Sequence, residues 1–198
     1  MTLPRLYPVF DSVDWLGRLV PLGIGMVQLR VKDQSLATVR GQIRAAKALC
    51  ARHGCLLVVN DYWRLAIEEG CAWVHLGQED LDGADITAIR AAGLKLGVST
   101  HDDAELARAV ALAPDYIALG PVWPTRLKKM RWHQQGLERV REWKTRIGDT
   151  PLVAIGGLNV ERAPQAFAAG ADVVAMVTDI TWHADPEARV REWLAVTA

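Results

Sequence analysis

Gly25-Met26-Val27-Gln28-Leu29-Arg30-Val31-Lys32 is the stretch that decides the fold. Val27, Leu29 and Val31 alternate with Gln28, Arg30 and Lys32, and a period of two puts the polar trio on one face of a strand. On an edge strand that face would simply be solvated. In a closed barrel it points inward at the top, where two cations are costly to bury without an anion or a carboxylate.

Seven further segments read as strands: Leu6–Phe10, Leu56–Val59, Trp73–Leu76, Leu94–Val98, Tyr116–Leu119, Leu152–Ile155 and Val173–Val177, with Gly25–Val31 as the second in order. Several are apolar throughout, as strands covered on both faces must be. Amphipathic stretches alternate with them, including Leu36–His53, Ala84–Ala92, Ala104–Ala113, Leu137–Ile147, Arg162–Ala169 and Pro186–Val196. Ala113-Pro114-Asp115 and Ala169-Gly170-Ala171-Asp172 form an internal echo, each ending a helix and launching a strand. Eight such units make either a barrel or an open doubly wound sheet. No Gly-x-Gly-x-x-Gly follows the first strand, where Asp11-Ser12 looks like a helix cap instead. The polar strand ends favour an α/β fold of the (β/α)8, or TIM-barrel, type, with residues 1–198 as a single domain.

Composition agrees and narrows the function. The 198 residues are 51% hydrophobic and 23% charged, ordinary for one globular domain. Lys plus Arg equals Asp plus Glu at 23 each, so no global field would hold a nucleic acid. The start lacks a signal-peptide pattern, and no apolar run approaches the ~20 residues that span a bilayer. Cys50, Cys55 and Cys71 are odd in number and lack CxxC spacing, which reads as reduced thiols in a cytoplasmic protein without membrane partners. Surface tryptophans among the eight present are compatible with a homo-oligomer.

The strand ends carry the chemistry. The third strand stops at Asn60-Asp61, and the fourth runs into Gly77-Gln78-Glu79-Asp80. Asp61 and Asp80 suit Mg2+, which takes one or two protein carboxylates and completes its shell with water and phosphate oxygens; alone, Asp80 would serve as a helix cap. Ser99 ends the fifth strand, either as a site hydroxyl or as the N-cap of the next helix. After the sixth comes Gly120-Pro121-Val122-Trp123-Pro124-Thr125-Arg126-Leu127-Lys128-Lys129, a hydroxyl and three cations on a rigid turn, and then Met130–Gly136, read as a lid. Gly156-Gly157 after the seventh strand is either a tight turn or a close approach of backbone N–H groups to phosphate. The eighth ends near Val177-Thr178. His75 is either a ligand contact or a satisfied core histidine. Two anion sites result: Arg30, Lys32, Asn60, Ser99, Lys128 and a metal on one side, and Thr125, Gly157 and Thr178 on the other.

Gln28–Asp33, Asn60–Ala66, Val74–Leu81, Gly97–His101 and Gly120–Thr125, followed by Ala154–Gly157 and Gly170–Asp172, resemble the thiamine phosphate synthase family nearly end to end. The resemblance implies a transferase that joins hydroxymethylpyrimidine diphosphate to a thiazole phosphate and releases diphosphate. It implies that Gln28 contacts the pyrimidine, that Arg30, Lys32, Asn60, Ser99 and Lys128 hold the diphosphate, and that Asp61 and Asp80 bind Mg2+. Thr125, Gly157, Val177 and Thr178 would take the thiazole phosphate. Two positions depart from the pattern: Leu127 replaces a threonine, and Asp179 replaces a small residue. Asp179 is expected to point away from the phosphate or to pair with a cation. A thiazole tautomerase of the related branch, a non-catalytic thiamine phosphate binder and a sugar-phosphate epimerase are the rival readings. The first does not need the diphosphate set, and the last needs an acid–base pair that is not evident.

Overall fold

Among the described residues, eight strands, β1 (Leu6–Phe10), β2 (Met26–Leu29), β3 (Leu56–Asn60), β4 (Trp73–Leu76), β5 (Lys95–Thr100), β6 (Tyr116–Leu119), β7 (Leu152–Ile155) and β8 (Val173–Met176), follow one another in parallel order around a closed barrel. β8 closes on β1 with Leu6 opposite Val174. The computed structural model describes residues 2–125 and 133–198.

Each strand is sealed on both faces. Tyr7, Met26, Val58, Trp73, Tyr116 and Val173 belong to a small cluster inside the barrel. The alternate positions, such as Leu6, Val27, Val74 and Leu119, join a larger cluster beneath the helices. The interior parity set by Met26, Val58, Trp73 and Tyr116 carries two residues further to Gln28, Asn60, His75 and Ala118. The polar positions of β2 therefore do enter the barrel and do not face solvent at an edge.

Six helices fall within or overlap the stretches that periodicity predicts: α2 (Leu36–Arg52), α5 (Ile86–Ala91), α6 (Asp103–Ala111), α7 (Gly136–Ile147), α8 (Ala163–Ala168) and α10 (Pro186–Thr197). Four others among the described residues, α1 (Val13–Leu19), α3 (Trp63–Glu68), α4 (Gln78–Asp82) and α9 (Thr178–Thr181), lie outside those amphipathic stretches. Packing supports them instead, as the buried Trp63, Leu65 and Ala66 of α3 illustrate. Ser12 does occupy the N-cap of α1 but makes no side-chain capping bond; Gln42 Oε1 from α2 accepts the Val13 N–H at 2.7 Å. Asp102, not Ser99, caps α6, accepting the Glu105 N–H at 2.9 Å. Asp102→Ala should cost about 1 kcal/mol, read as a fall in Tm of about 2–4 °C. An unchanged melting curve would show that this cap adds nothing.

The internal echo has a physical cause. Asp115 Oδ2 accepts the Leu96 N–H of β5, and Asp172 Oδ2 accepts the Leu152 N–H of β7, both at 2.8 Å. Each carboxylate also binds a cation from a preceding helix, Arg90 at 2.7 Å and Lys144 at 2.8 Å respectively. The repeated aspartate ties the start of one strand to the neighbouring strand and to the helix that packs on it.

Candidate active site at the carboxyl-terminal rim

The rim begins with β2. Gln28 is buried, Arg30 is half-buried just beyond the strand, and Lys32 reaches solvent, so the polar face climbs out of the barrel. Among the described residues the Arg30 side chain makes no hydrogen bond or ion pair, whereas Lys32 is paired with Asp61. Asp61 sits just past β3 at φ 64°, a left-handed conformation that a non-glycine residue adopts at a cost. Its N–H donates to the His75 carbonyl at 2.9 Å, which turns the carboxylate across the rim towards Lys32 and Asp80.

Asp80 lies in the first turn of α4. Burial raises its carboxyl above the usual range, and the Asp61 charge and a hydrogen bond to Asp61 raise it further, while Lys32 opposes the rise. Two carboxylates forced into contact form an oxygen-only pair suited to a hard cation. Among the described residues no group of three or more His, Cys, Asp or Glu converges, so any cation here would complete its shell from outside the protein. Beside this pair, Asn60 is buried and its Nδ2 has no hydrogen-bond partner among the described residues.

Beneath the charges lies a layer of neutral polar groups. Gln28 Nε2 donates to Tyr7 Oη, Tyr7 Oη meets Tyr116 Oη, Tyr116 Oη meets His75 Nδ1, and His75 Nε2 meets Ser99 Oγ, each at 2.8 Å. His75 is thus a satisfied core histidine that also touches a rim hydroxyl. Burial pulls its imidazole down to about 4, with the Asp61 charge opposing and Arg30 adding to the fall. Burial likewise raises the Tyr7 and Tyr116 phenols, so all of these groups are neutral near pH 7. Sequence reasoning missed Tyr7 and Tyr116. The available signal was that both share the inward parity of Gln28, His75 and Ser99.

The second group of expected residues stands at the ends of β6, β7 and β8, where the Arg162 guanidinium donates to the Gly157 carbonyl. Gly156 and Gly157 both have positive φ, 95° and 65°. A Cβ on Gly157 would lie 2.5 Å from the Pro124 carbonyl oxygen, and one on Gly156 would lie 2.6 Å from Pro121 Cα. The glycines are therefore required by the 120–125 turn packed against them, which brings Thr125 to the end of β7. Val177 is the N-cap of α9 and Thr178 its first residue. Asp179 follows and is held away from the rim by Arg189 through bonds of 2.8 and 3.0 Å and by Trp193 Nε1 at 2.8 Å. That is the cation pairing expected from the sequence. Lys128, with Arg126, Leu127, Lys129 and residues 130–132 of the expected lid, lies outside the described residues. The end of that segment is tied down, Gln135 N–H donating to the Pro121 carbonyl at 2.7 Å.

The sequence profile of the family described as thiamine monophosphate synthase matches residues 6–180. The chain belongs to that family. Thiamine-phosphate synthase of Rhizobium etli is 61% identical over 198 residues, covering 100% of this chain and 97% of that protein. The Salmonella typhimurium protein of the same name is 49% identical over 191 residues, covering 96% of this chain and 90% of its own. Among solved structures, a thiamine phosphate pyrophosphorylase from Pyrococcus furiosus superposes with a TM-score of 0.86 at 24% identity, covering 98% of this chain and 95% of that one. A 3-hexulose-6-phosphate synthase shares the barrel at a TM-score of 0.70 and 17% identity. In this member of the thiamine monophosphate synthase family, the rim expected from the sequence is built by adjacent strands β2 to β5, with loops β6 to β8 on the other side.

Proposed function

We propose that the chain is a transferase that joins hydroxymethylpyrimidine diphosphate to hydroxyethylthiazole phosphate, giving thiamine phosphate and diphosphate. The observation that carries this reading is the juxtaposition of the Arg30 cation and the Lys32–Asp61 pair with the Asp61–Asp80 carboxylates and the unpartnered Asn60 donor, all at one rim. An anion linked to a cation satisfies every one of these groups at once. Gln28 would orient the pyrimidine, while Arg30, Lys32, Asn60, Ser99 and Lys128 would hold its diphosphate. Thr125, Gly157, Val177 and Thr178 would hold the thiazole phosphate.

Asp61 and Asp80 fit Mg2+, an ion that prefers oxygen ligands and keeps room for phosphate oxygens and water. When bound, Mg2+ supplies positive charge where the diphosphate departs. The remaining chemistry belongs to the substrates. The methylene–oxygen bond breaks with its electron pair leaving on diphosphate, and the thiazole nitrogen lone pair forms the new carbon–nitrogen bond. No proton has to move, which agrees with the neutral, hydrogen-bonded layer that runs from Gln28 to Ser99. Arg30 and Lys32 stabilise charge on the leaving group, and the two phosphate sites hold the reactants in line.

The reading places the enzyme in the cytoplasm, on the support of three buried free thiols. No helix among the described residues is long and apolar enough to cross a membrane. A homo-oligomer is the expected assembly, with Trp182, 64% exposed, as one surface group available to it.

The test is thiamine phosphate and diphosphate formation by the purified protein, with both substrates and with or without Mg2+. Product in equal amounts that appears only with Mg2+ is expected. No product from a protein shown to be folded would refute the transferase, and product unaffected by chelation would refute the role of the carboxylate pair.

A further inference from the structure

The buried chain from Gln28 to Ser99 can be ordered in one direction. The Gln28 amide nitrogen can only donate, so Tyr7 Oη accepts from it. Among the described residues the only other partner of Tyr7 Oη is Tyr116 Oη at 2.8 Å, so the Tyr7 proton must go there. Tyr116 Oη then accepts from Tyr7 and sends its own proton to His75 Nδ1. A neutral imidazole has one acceptor and one donor nitrogen; with Nδ1 accepting, Nε2 carries the hydrogen and donates to Ser99 Oγ. The reverse order would make Tyr7 Oη accept twice and leave its proton unbonded at the centre of the barrel, in a side chain 1% exposed.

We infer that Tyr7, Tyr116 and His75 are positioning residues that set the Nε2–H tautomer of His75 and thereby commit the Ser99 hydroxyl to donate its proton outward, to an acceptor on the bound substrate. The inference rests on the transferase reading for the identity of that acceptor, a diphosphate or pyrimidine atom. The tautomer itself follows from the hydrogen bonds alone. It also gives the Gln28 amide two roles. Its nitrogen starts the chain, and its Oε1, which accepts nothing among the described residues, is left for a donor on the same substrate. A ligand with a donor at the Gln28 end and an acceptor at the Ser99 end matches the chain, and one with these reversed does not.

The test is nitrogen NMR of the full chain labelled in histidine, with the His75 resonances assigned through its backbone. At neutral pH, Nε2 is expected at the protonated position and Nδ1 at the unprotonated one. Tyr116→Phe removes one oxygen, keeps the ring, and should release His75 into a mixture of tautomers. In the same variant kcat/KM for the pyrimidine diphosphate should fall by about tenfold to a hundredfold, and affinity for inorganic diphosphate with Mg2+ should weaken. An Nδ1–H tautomer in the unsubstituted protein would overturn the inference, and that measurement needs no variant to fold. A shifted tautomer with unchanged kcat/KM and diphosphate affinity would overturn the positioning role. An Nε2–H tautomer in a protein without transferase turnover would refute the proposed reaction and leave the ordered chain standing, with diphosphate affinity as the readout for Ser99.

Discussion

Arg30→Ala is expected to lower kcat about a hundredfold to a thousandfold, equivalent to about 2.7–4 kcal/mol of transition-state stabilisation. Arg30 is half-buried at the exit of β2 and makes no bond among the described residues, so its charge is uncommitted until an anion arrives. Negative charge on diphosphate grows as the carbon–oxygen bond breaks. The interaction is therefore stronger in the transition state than in the ground state, and kcat should fall more than KM rises. Because no described residue loses a hydrogen bond or ion pair with its side chain, the variant should melt where the unsubstituted protein does. Lys32 should give a less selective result, since its removal also strips Asp61 of its partner. Steady-state kinetics in both substrates, beside a melting curve, decide the matter. A kcat within threefold of the unsubstituted enzyme, or a large fall in Tm, would exclude Arg30 as the leaving-group cation.

Gly97→Ala should unsettle the whole centre of the barrel. A Cβ there would lie 2.0 Å from Tyr116 Cζ and 2.4 Å from its Oη, well inside any real contact. The ring cannot swing away freely, since Tyr116 is fully buried, stacked on His75 at 5.6 Å and on Trp73 at 6.1 Å, with Tyr7 edge-on at 5.8 Å. Relief requires either a wider barrel or the loss of both hydroxyl bonds of Tyr116. Overpacking costs about 1–3 kcal/mol, and buried hydroxyls left unbonded add about 1–3 kcal/mol each. A loss of about 3–5 kcal/mol is expected, or about 6–20 °C in Tm for a domain of this size. Ser99 would lose its fixed partner and turnover would drop as well. Combining Gly97→Ala with Tyr116→Ala should cost far less than the two separately, because the clash has one cause. Additive losses would mean that the barrel accommodates the methyl group elsewhere.

Legibility in the sequence followed the range of the interaction. β4, β6 and β7 run over the residues that alternation and turn signals predict, Trp73–Leu76, Tyr116–Leu119 and Leu152–Ile155. β2 ends at Leu29, earlier than its alternating pattern, although the Arg30 N–H still donates to the Phe10 carbonyl at 2.7 Å. The alternation persists because the residues continue to face the site after the ladder has ended. Ser99 and Asp102 are both reasonable helix caps from sequence. Only the geometry shows that Asp102 takes the cap and leaves Ser99 to the rim.

What the sequence determined by itself was the succession of βα units and the set of polar residues at strand ends. Periods of 2 and 3.6, turn residues and the repeated aspartates act within a few positions of one another, and local chemistry is enough to read them. What only the tertiary structure decided was which of those residues meet. Tyr7 and Tyr116 are 109 residues apart and His75 and Ser99 are 24 apart, and their contacts depend on closure of the barrel, on the stagger between strands, and on the absence of a side chain at Gly97. The same closure presses Asp61 against Asp80 and leaves Arg30 without a partner among the described residues, because neighbouring strands end at one rim while their charges stand far apart along the chain.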